Sequence, residues 1–211
     1  MHTQITFVLD SSGSMSAIEE DTKGGFNTFL RDQRDEPGTA TVTLYDFNTN
    51  VELIYEEYPI EDAPELDDEN YTPGGSTALH DAIYRAVTET AERIDGVEPT
   101  VRPDNVIVVV LTDGKENASE THQERVREQV RVRREEHDWE FLFIGANQDA
   151  ALTAESMGID ADKSLNMAHS GEGAQAAYES TSEQVREARQ TGQTSGYSDA
   201  DRQRQEDARD D

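Results

Sequence analysis

Ile5-Thr-Phe-Val-Leu-Asp10-Ser-Ser-Gly-Ser14-Met15 decides the fold, and the rest of the chain is read outward from it. It is an apolar strand that ends in an acid, two spaced hydroxyls and a glycine. Such a strand is stable only inside a sheet covered by other elements, so its C-terminal end delivers Asp10 to a fixed point at the sheet's edge. Gly13 lets the backbone turn back tightly, and Ser12 and Ser14, two apart, can point their oxygens the same way. Oxygen-only ligands suit a hard cation such as Mg2+. Two further stretches offer more oxygens. Pro73-Gly-Gly-Ser-Thr77-Ala-Leu places a hydroxyl in a glycine-rich loop before a helix, and Val106-Ile-Val-Val-Val-Leu-Thr-Asp113-Gly114 is a second buried strand ending in an acid. Taken alone, Asp10 to Ser14 also reads as a strand-to-helix turn with hydroxyl caps.

Between these stretches, strand and helix patterns alternate. His2 to Leu9 is a strand, Ser16 to Arg34 a helix, and Thr39–Phe47 with Asn50–Tyr58 a pair of strands separated by so short a connection that they must form a hairpin, hence an antiparallel edge strand. Gly24 and Gly25 each cost on the order of 1 kcal/mol inside the helix, which points to close packing on the sheet. After the acidic loop Glu61 to Tyr71, Leu79, Ala82, Ile83, Ala86, Val87, Thr90, Ala91 and Ile94 recur at helical steps over Ala78 to Ile94, with Ser76 or Thr77 as the N-cap. Asn105–Thr112 is the most apolar strand. A charged helix (Ser119 to His137), a strand (Trp139 to Ile144), a short helix (Gln148 to Met157) closed by Gly158, a last strand (Lys163 to Met167) and a helix marked by Ala174, Tyr178, Val185 and Ala188 follow. The expected fold is α/β, doubly wound and Rossmann-like, a mostly parallel sheet with helices on both faces. In such sheets ligands bind at the C-terminal strand ends where the strand order reverses. Asp10 and Asp113 end the two most buried strands.

With 211 residues the chain is long enough for one cored domain and a tail, read as residues 1–189 and an acidic, polar, disordered tail 190–211 in which apolar residues nearly vanish. The tail either solubilises or folds on a partner. Lys+Arg number 18 against 46 Asp+Glu, a net charge of -28 that repels phosphate and argues against binding to nucleic acid or anionic membranes. The acids are spread over every surface segment and the lysines are only Lys23, Lys115 and Lys163, a distribution that fits a halophilic protein better than a single acidic recognition surface. No cysteine is present, which excludes disulfides, thiolate metal sites and thiol nucleophiles, and the five histidines have no metal-ligand spacing. There is no long apolar run, and strand-like sequence starts at His2 or Thr3, so the expectation is a cytoplasmic protein without membrane span or signal peptide.

Asp10-x-Ser12-x-Ser14, Thr77 in a Gly-Gly-Ser-Thr loop and Asp113 in Leu-Thr-Asp-Gly resemble the complete metal-ion-dependent adhesion site (MIDAS) of von Willebrand factor type A (vWA) domains, with the threonine roughly sixty residues after the first acid. The resemblance covers roughly Thr3 to Ala188. More narrowly, Gly25-Phe-Asn27, Gly75-Ser-Thr-Ala-Leu-His-Asp-Ala-Ile83, Thr112-Asp-Gly-Lys-Glu-Asn-Ala118 and Phe143-Ile-Gly-Ala-Asn-Gln-Asp149 are similar to standalone microbial and phage-borne members. The resemblance implies six strands in the order 3-2-1-4-5-6 with the third antiparallel. It implies Mg2+, with Mn2+ or Ca2+ as substitutes, held directly by Ser12 and Ser14, by Thr77 directly or through water according to state, and by Asp10 and Asp113 largely through water. It implies a non-enzymatic domain docking a partner protein's Glu or Asp carboxylate on the metal. Nothing in the sequence sets the oligomeric state, and a monomer is the simplest expectation.

Two other readings stand beside this one. A phosphohydrolase would also place an acid and Mg2+ at a strand end, but it needs a second acid close by and a cation for the phosphate, and here the neighbours are serines and Lys115 sits beside Glu116. A serine hydrolase built on Ser12 or Ser14 with His80 lacks the Gly-x-Ser-x-Gly elbow. A subunit of a virion or large complex, with a metal that only stabilises the fold, is the third.

Overall fold

The computed structural model of the chain describes residues 1–147 and 149–210. Six strands, β1 (His2–Asp10), β2 (Thr39–Phe47), β3 (Val51–Pro59), β4 (Asn105–Thr112), β5 (Glu140–Gly145) and β6 (Ser164–Asn166), form one sheet in the order β3-β2-β1-β4-β5-β6. All pairings are parallel except β2 with β3, the hairpin, which is antiparallel. The turn between them is closed by Asn48 and Asn50, whose backbones bond at 2.9 Å. The chain leaves β1 towards one edge of the sheet and returns to start β4 on β1's other side. The strand order therefore reverses between β1 and β4, in register Leu9 beside Leu111.

The side-chain period of two sorts β1 onto both faces. Ile5, Phe7 and Leu9 pack on one face with α1 (Glu19–Arg34) and α5 (Gly171–Thr191). Phe7 is the hub there, its ring meeting Phe26 at 5.1 Å, Phe29 at 5.5 Å and Tyr178 at 6.2 Å between centroids. Val8 packs on the other face with α2 (Leu79–Gly96), α3 (Gln123–His137) and α4 (Ala150–Ser156). Thr6, on that same face, meets Thr90 of α2 through a 3.1 Å hydroxyl contact, so this buried mid-strand hydroxyl has a partner.

Two local expectations are corrected. The segment after Ser12 first forms a 3-10 turn, Gly13–Ile18, and α1 begins only at Glu19. Neither Ser76 nor Thr77 caps α2. Its N-cap is Ala78, and the exposed N–H groups of its first turn are met from outside, His80 N–H by the Glu116 carboxylate at 3.0 Å and Asp81 N–H by Ser119 Oγ at 3.1 Å. The start of the helix expected at Gln148 lies outside the described residues, and α4 is described from Ala150.

The largest correction concerns the tail. Residues Asp199–Asp210 form α6, packed on α5. Among the described residues of the tail, Tyr197 and Ala208 are the only buried apolar ones, and the rest of the contact is polar and bonded. Asp201 is 4 % exposed and accepts from Ser180 Oγ and Ser198 Oγ, both at 2.7 Å, and from Arg204. Burial alone pushes the Asp201 carboxyl up, but these donors outweigh it and hold it down at about 2. A low-hydrophobicity argument for disorder fails here because the docked face is made of polar groups that find their partners on α5. Among the described residues, no helix is long and apolar enough to cross a membrane.

Candidate metal centre

β1 and β4 end side by side, which brings Asp10 next to Thr112 and its successor Asp113. The Asp10 carboxylate is fully buried, with Oδ1 accepting from Ser12 N–H and Oδ2 from the Thr112 hydroxyl, each at 2.6 Å. Burial raises the pKa of this carboxyl, and the bonds from Thr112 and Ser12 oppose the shift. The Tyr71 hydroxyl donates to Asp10 C=O at 2.7 Å, fixing the strand end from below.

The backbone then turns so that Ser12 and Ser14 face the same cleft. Gly13 lies against the glycine-rich loop, its N–H bonded to Gly75 C=O at 3.1 Å, while Gly74 N–H bonds Ser11 C=O at 2.7 Å. Ser12 Oγ lies 3.2 Å from Ser14 Oγ, and Ser14 Oγ donates to Asp113 Oδ1 at 2.5 Å. Thr77 closes the group. Its N–H donates to Asn117 Oδ1 at 2.9 Å, and a Cβ placed on Gly114 would stand 2.6 Å from Thr77 Oγ1 and 3.5 Å from Ser12 Oγ. Only glycine at position 114 leaves room for those two oxygens. The five residues singled out from the sequence are thus brought to one cleft of about 470 Å3, four of them lining it and Asp10 beneath.

A hydrated dication fits this donor set. Two carboxylates, each at most 1 % exposed, sit among hydroxyls and one histidine, and burying such charge without a cation is costly. The oxygens are the hard donors Mg2+ prefers, and neighbouring ligands of an octahedral Mg2+ stand about 3 Å apart, as do Ser12 Oγ and Ser14 Oγ. The half-buried Glu19 and the exposed Glu20 and Asp68 also come within reach of one another, but Lys23 Nζ lies among them at 2.7, 3.1 and 2.5 Å and supplies the countercharge.

Sequence reasoning missed His169. It sits in the loop between β6 and α5, 56 residues past Asp113, and its Nε2 is 2.7 Å from Asp113 Oδ2. No periodicity or spacing marks it. The Ser–His pairing with His80 does not form: His80 Nδ1 stands 4.0 Å from Glu116, while Ser14 serves Asp113.

Asp46, beside Leu9 in register, is a carboxylate of a different kind. Its Oδ1 is buried without a hydrogen-bond partner, and burial pushes the carboxyl up to about 6. A folded pKa above the ordinary 3.8 means that this group's contribution to stability is complete below pH 3.8 and lost as pH rises through about 6. At pH 7.5 ionised Asp46 therefore costs up to about 3 kcal/mol. Asp46→Asn is expected to raise the unfolding free energy by about 1–3 kcal/mol at pH 7.5 and to leave it nearly unchanged at pH 3.5. Denaturant titrations in EDTA at both pH values measure this, and an equal effect at the two would contradict it.

Comparison with known proteins agrees with this architecture. A family model described as von Willebrand factor type A domain matches residues 4–191. No curated protein sequence matches the chain. Among solved structures, proximal thread matrix protein 1 from the mussel byssus superposes with a TM-score of 0.64 at 18% identity, covering 88% of this chain and 46% of that one. A form of the same mussel protein with a zinc-occupied MIDAS motif gives 0.62 at 15% identity, again covering 88% and 46%. The pilus adhesin SpaC from Lactobacillus rhamnosus GG, in an open conformation, gives 0.65 at 12% identity over 87% of this chain and 30% of that one. The chain thus spans less than half the length of these structures, and at such identities they speak for the fold alone. With a family model matched over nearly its whole length and a six-stranded sheet of the corresponding order, the chain belongs to the von Willebrand factor type A domain family.

Proposed function

We propose that this chain is a non-enzymatic, metal-dependent protein-docking domain in which Asp10, Ser12, Ser14, Thr77 and Asp113 hold a hydrated Mg2+, with Mn2+ or Ca2+ as substitutes. Domains of the family are typically protein-interaction modules with a MIDAS metal site. The observation that carries the reading is the run of oxygens from Ser12 Oγ through Ser14 Oγ to Asp113 Oδ1, at 3.2 and 2.5 Å, opening into the cleft above buried Asp10. When bound, the ion offers a carboxylate of a partner an open coordination position. The chain's residues do the rest. Ser12 and Ser14 contribute neutral oxygens, which leave part of the ion's charge uncompensated, and Gly114 keeps the cleft open. A carboxylate approaching a protein of net charge -28 is repelled over long range, so docking is expected to strengthen in concentrated salt, where the screening length falls to about 3 Å at 1 M.

Calorimetric titration of the protein with Mg2+ and with Mn2+ in concentrated KCl tests the metal step, and capture of partners with and without EDTA tests the docking step. One saturable site is expected for each ion, since oxygen ligands suit both Mg2+ and Mn2+, together with capture that EDTA abolishes. The absence of saturable heat for either ion sinks the reading. Turnover of generic phosphatase substrates that disappears in Asp10→Ala would replace docking with hydrolysis.

A further inference from the structure

We propose that His169 is a positioning residue of this metal site and that α6 holds it in place, an inference that rests on the reading of the five residues as a cation site. The Asp113 carboxylate has both oxygens engaged, Oδ1 by the Ser14 hydroxyl at 2.5 Å and Oδ2 by His169 Nε2 at 2.7 Å. The carboxylate side chain has no exposure, whereas the imidazole is 26% exposed, so the ring forms the wall between Asp113 and solvent. A carboxylate acceptor places the ring proton on Nε2, which makes His169 the donor. With Oδ2 held from the side, the carboxylate plane is fixed and Oδ1 remains turned towards Ser14 and the cleft.

What fixes His169 comes from the C-terminal helix. β6 ends at Asn166 and α5 starts at Gly171, and the loop between them is clamped by Gln205 of α6, itself 1 % exposed. Gln205 Oε1 accepts from Ala168 N–H at 2.8 Å and its Nε2 donates to Gly173 C=O at 3.1 Å, so one side chain ties the loop just before His169 to the first turn of α5 just after it. Ser170 Oγ adds a bond to Ala208 C=O at 3.2 Å. The loop is tight: a Cβ on Gly173 would stand 2.3 Å from Ala168 O. The family match stops at residue 191, so α6 lies outside it. Docking of α6 and the metal affinity of the cleft are thereby linked through Ala168, His169 and Asp113.

Calorimetry of the 211-residue chain with Mn2+ tests this in wild type, His169→Ala, His169→Gln, Gln205→Ala and the double variant His169→Ala/Gln205→Ala, with unfolding midpoints recorded in EDTA. Loss of an outer partner of a metal ligand typically costs 10–100-fold in affinity. His169→Ala is expected to bind Mn2+ weaker by about that factor, and His169→Gln, whose amide nitrogen can reach the same oxygen, to recover most of it. Gln205→Ala is expected to weaken binding less than His169→Ala, and the double variant to bind no worse than His169→Ala alone, because the clamp acts through the imidazole. Wild-type affinity in His169→Ala, or equal loss in the Ala and Gln variants, overturns the positioning role. Wild-type affinity in Gln205→Ala, or a double variant weaker than His169→Ala by the full Gln205→Ala loss, overturns the link to α6. Failure of wild type to bind Mn2+ at all instead removes the cation site on which the inference stands.

Discussion

The double variant Ser12→Ala/Ser14→Ala is expected to lose saturable Mg2+ and Mn2+ binding outright while keeping its fold. The two hydroxyls are the pair expected to touch the ion directly, and methyl groups in their place offer it nothing. Neither hydroxyl supports the backbone: Ser12 is the N-cap of the 3-10 turn but makes no side-chain capping bond. The structural cost of the change is the Ser12 hydroxyl's bond to Asp10, whose carboxylate keeps Ser12 N–H and Thr112, and the Ser14 bond to Asp113, whose loss leaves one oxygen of a buried carboxylate unpaired, about 1–3 kcal/mol. For a chain of this size that lowers the midpoint in EDTA by roughly 2–12 °C. Wild type, by contrast, gains about 2.7 kcal/mol when the free metal concentration is a hundredfold above its Kd. A thermal scan with and without metal therefore separates the two effects, because wild type shifts upward and the variant does not move. A variant that still shifts with Mg2+ would mean the ion is held elsewhere.

The five residues of the cleft stand out in the sequence because of where they lie. Asp10 and Asp113 terminate strands whose apolar patterns are unmistakable, and parallel strands flanking a reversal of strand order put their C-terminal ends together whatever the loops do. Thr77 is anchored differently, through a glycine-rich loop whose backbone bonds to the turn at Gly13. The antiparallel edge is legible because three residues cannot carry a chain across to a parallel strand. His169 and α6 are not legible, for related physical reasons. His169 reaches Asp113 from a loop with no period of its own, and the loop's position depends on Gln205, a residue type that composition counts as solvent-loving. A buried face made of Tyr197, Asp201, Gln205 and Ala208 has almost no hydrophobic periodicity to detect. Its stability lies in matched donors and acceptors, which appear only once both partners are placed.

The adjacent glycines of α1 are expected to respond with opposite signs to the same substitution. From the sequence both read as close packing on the sheet, yet Gly24 is exposed with nothing within 4 Å of an added Cβ, while Gly25 is buried against α5 rather than the sheet. Gly24→Ala therefore gains the helix propensity that glycine forgoes, on the order of 1 kcal/mol, and loses no contact. In Gly25→Ala the same gain is overwhelmed. Its Cβ would stand 2.2 Å from Tyr178 Cδ2 and 2.8 Å from Cε2 and Cγ, distances that require the ring or the helix to move. The ring has nowhere to go, because Tyr178 is 2 % exposed and stacks on Phe7, which Phe26 and Phe29 of α1 itself also hold. Separating α1 from α5 also pulls at the buried Arg189, whose guanidinium on α5 donates to Gln33 C=O at 2.5 Å and to Gly38 C=O at 3.3 Å. Overpacking of this kind typically costs 1–3 kcal/mol and occasionally more. With two helices and a shared aromatic cluster displaced, the upper end is expected, about 3 kcal/mol net of the propensity gain. Chemical denaturation of the two single variants gives the answer directly, as midpoints on either side of wild type. Two variants that both stabilise would mean that α1 and α5 lie farther apart than the Gly25–Tyr178 contact implies.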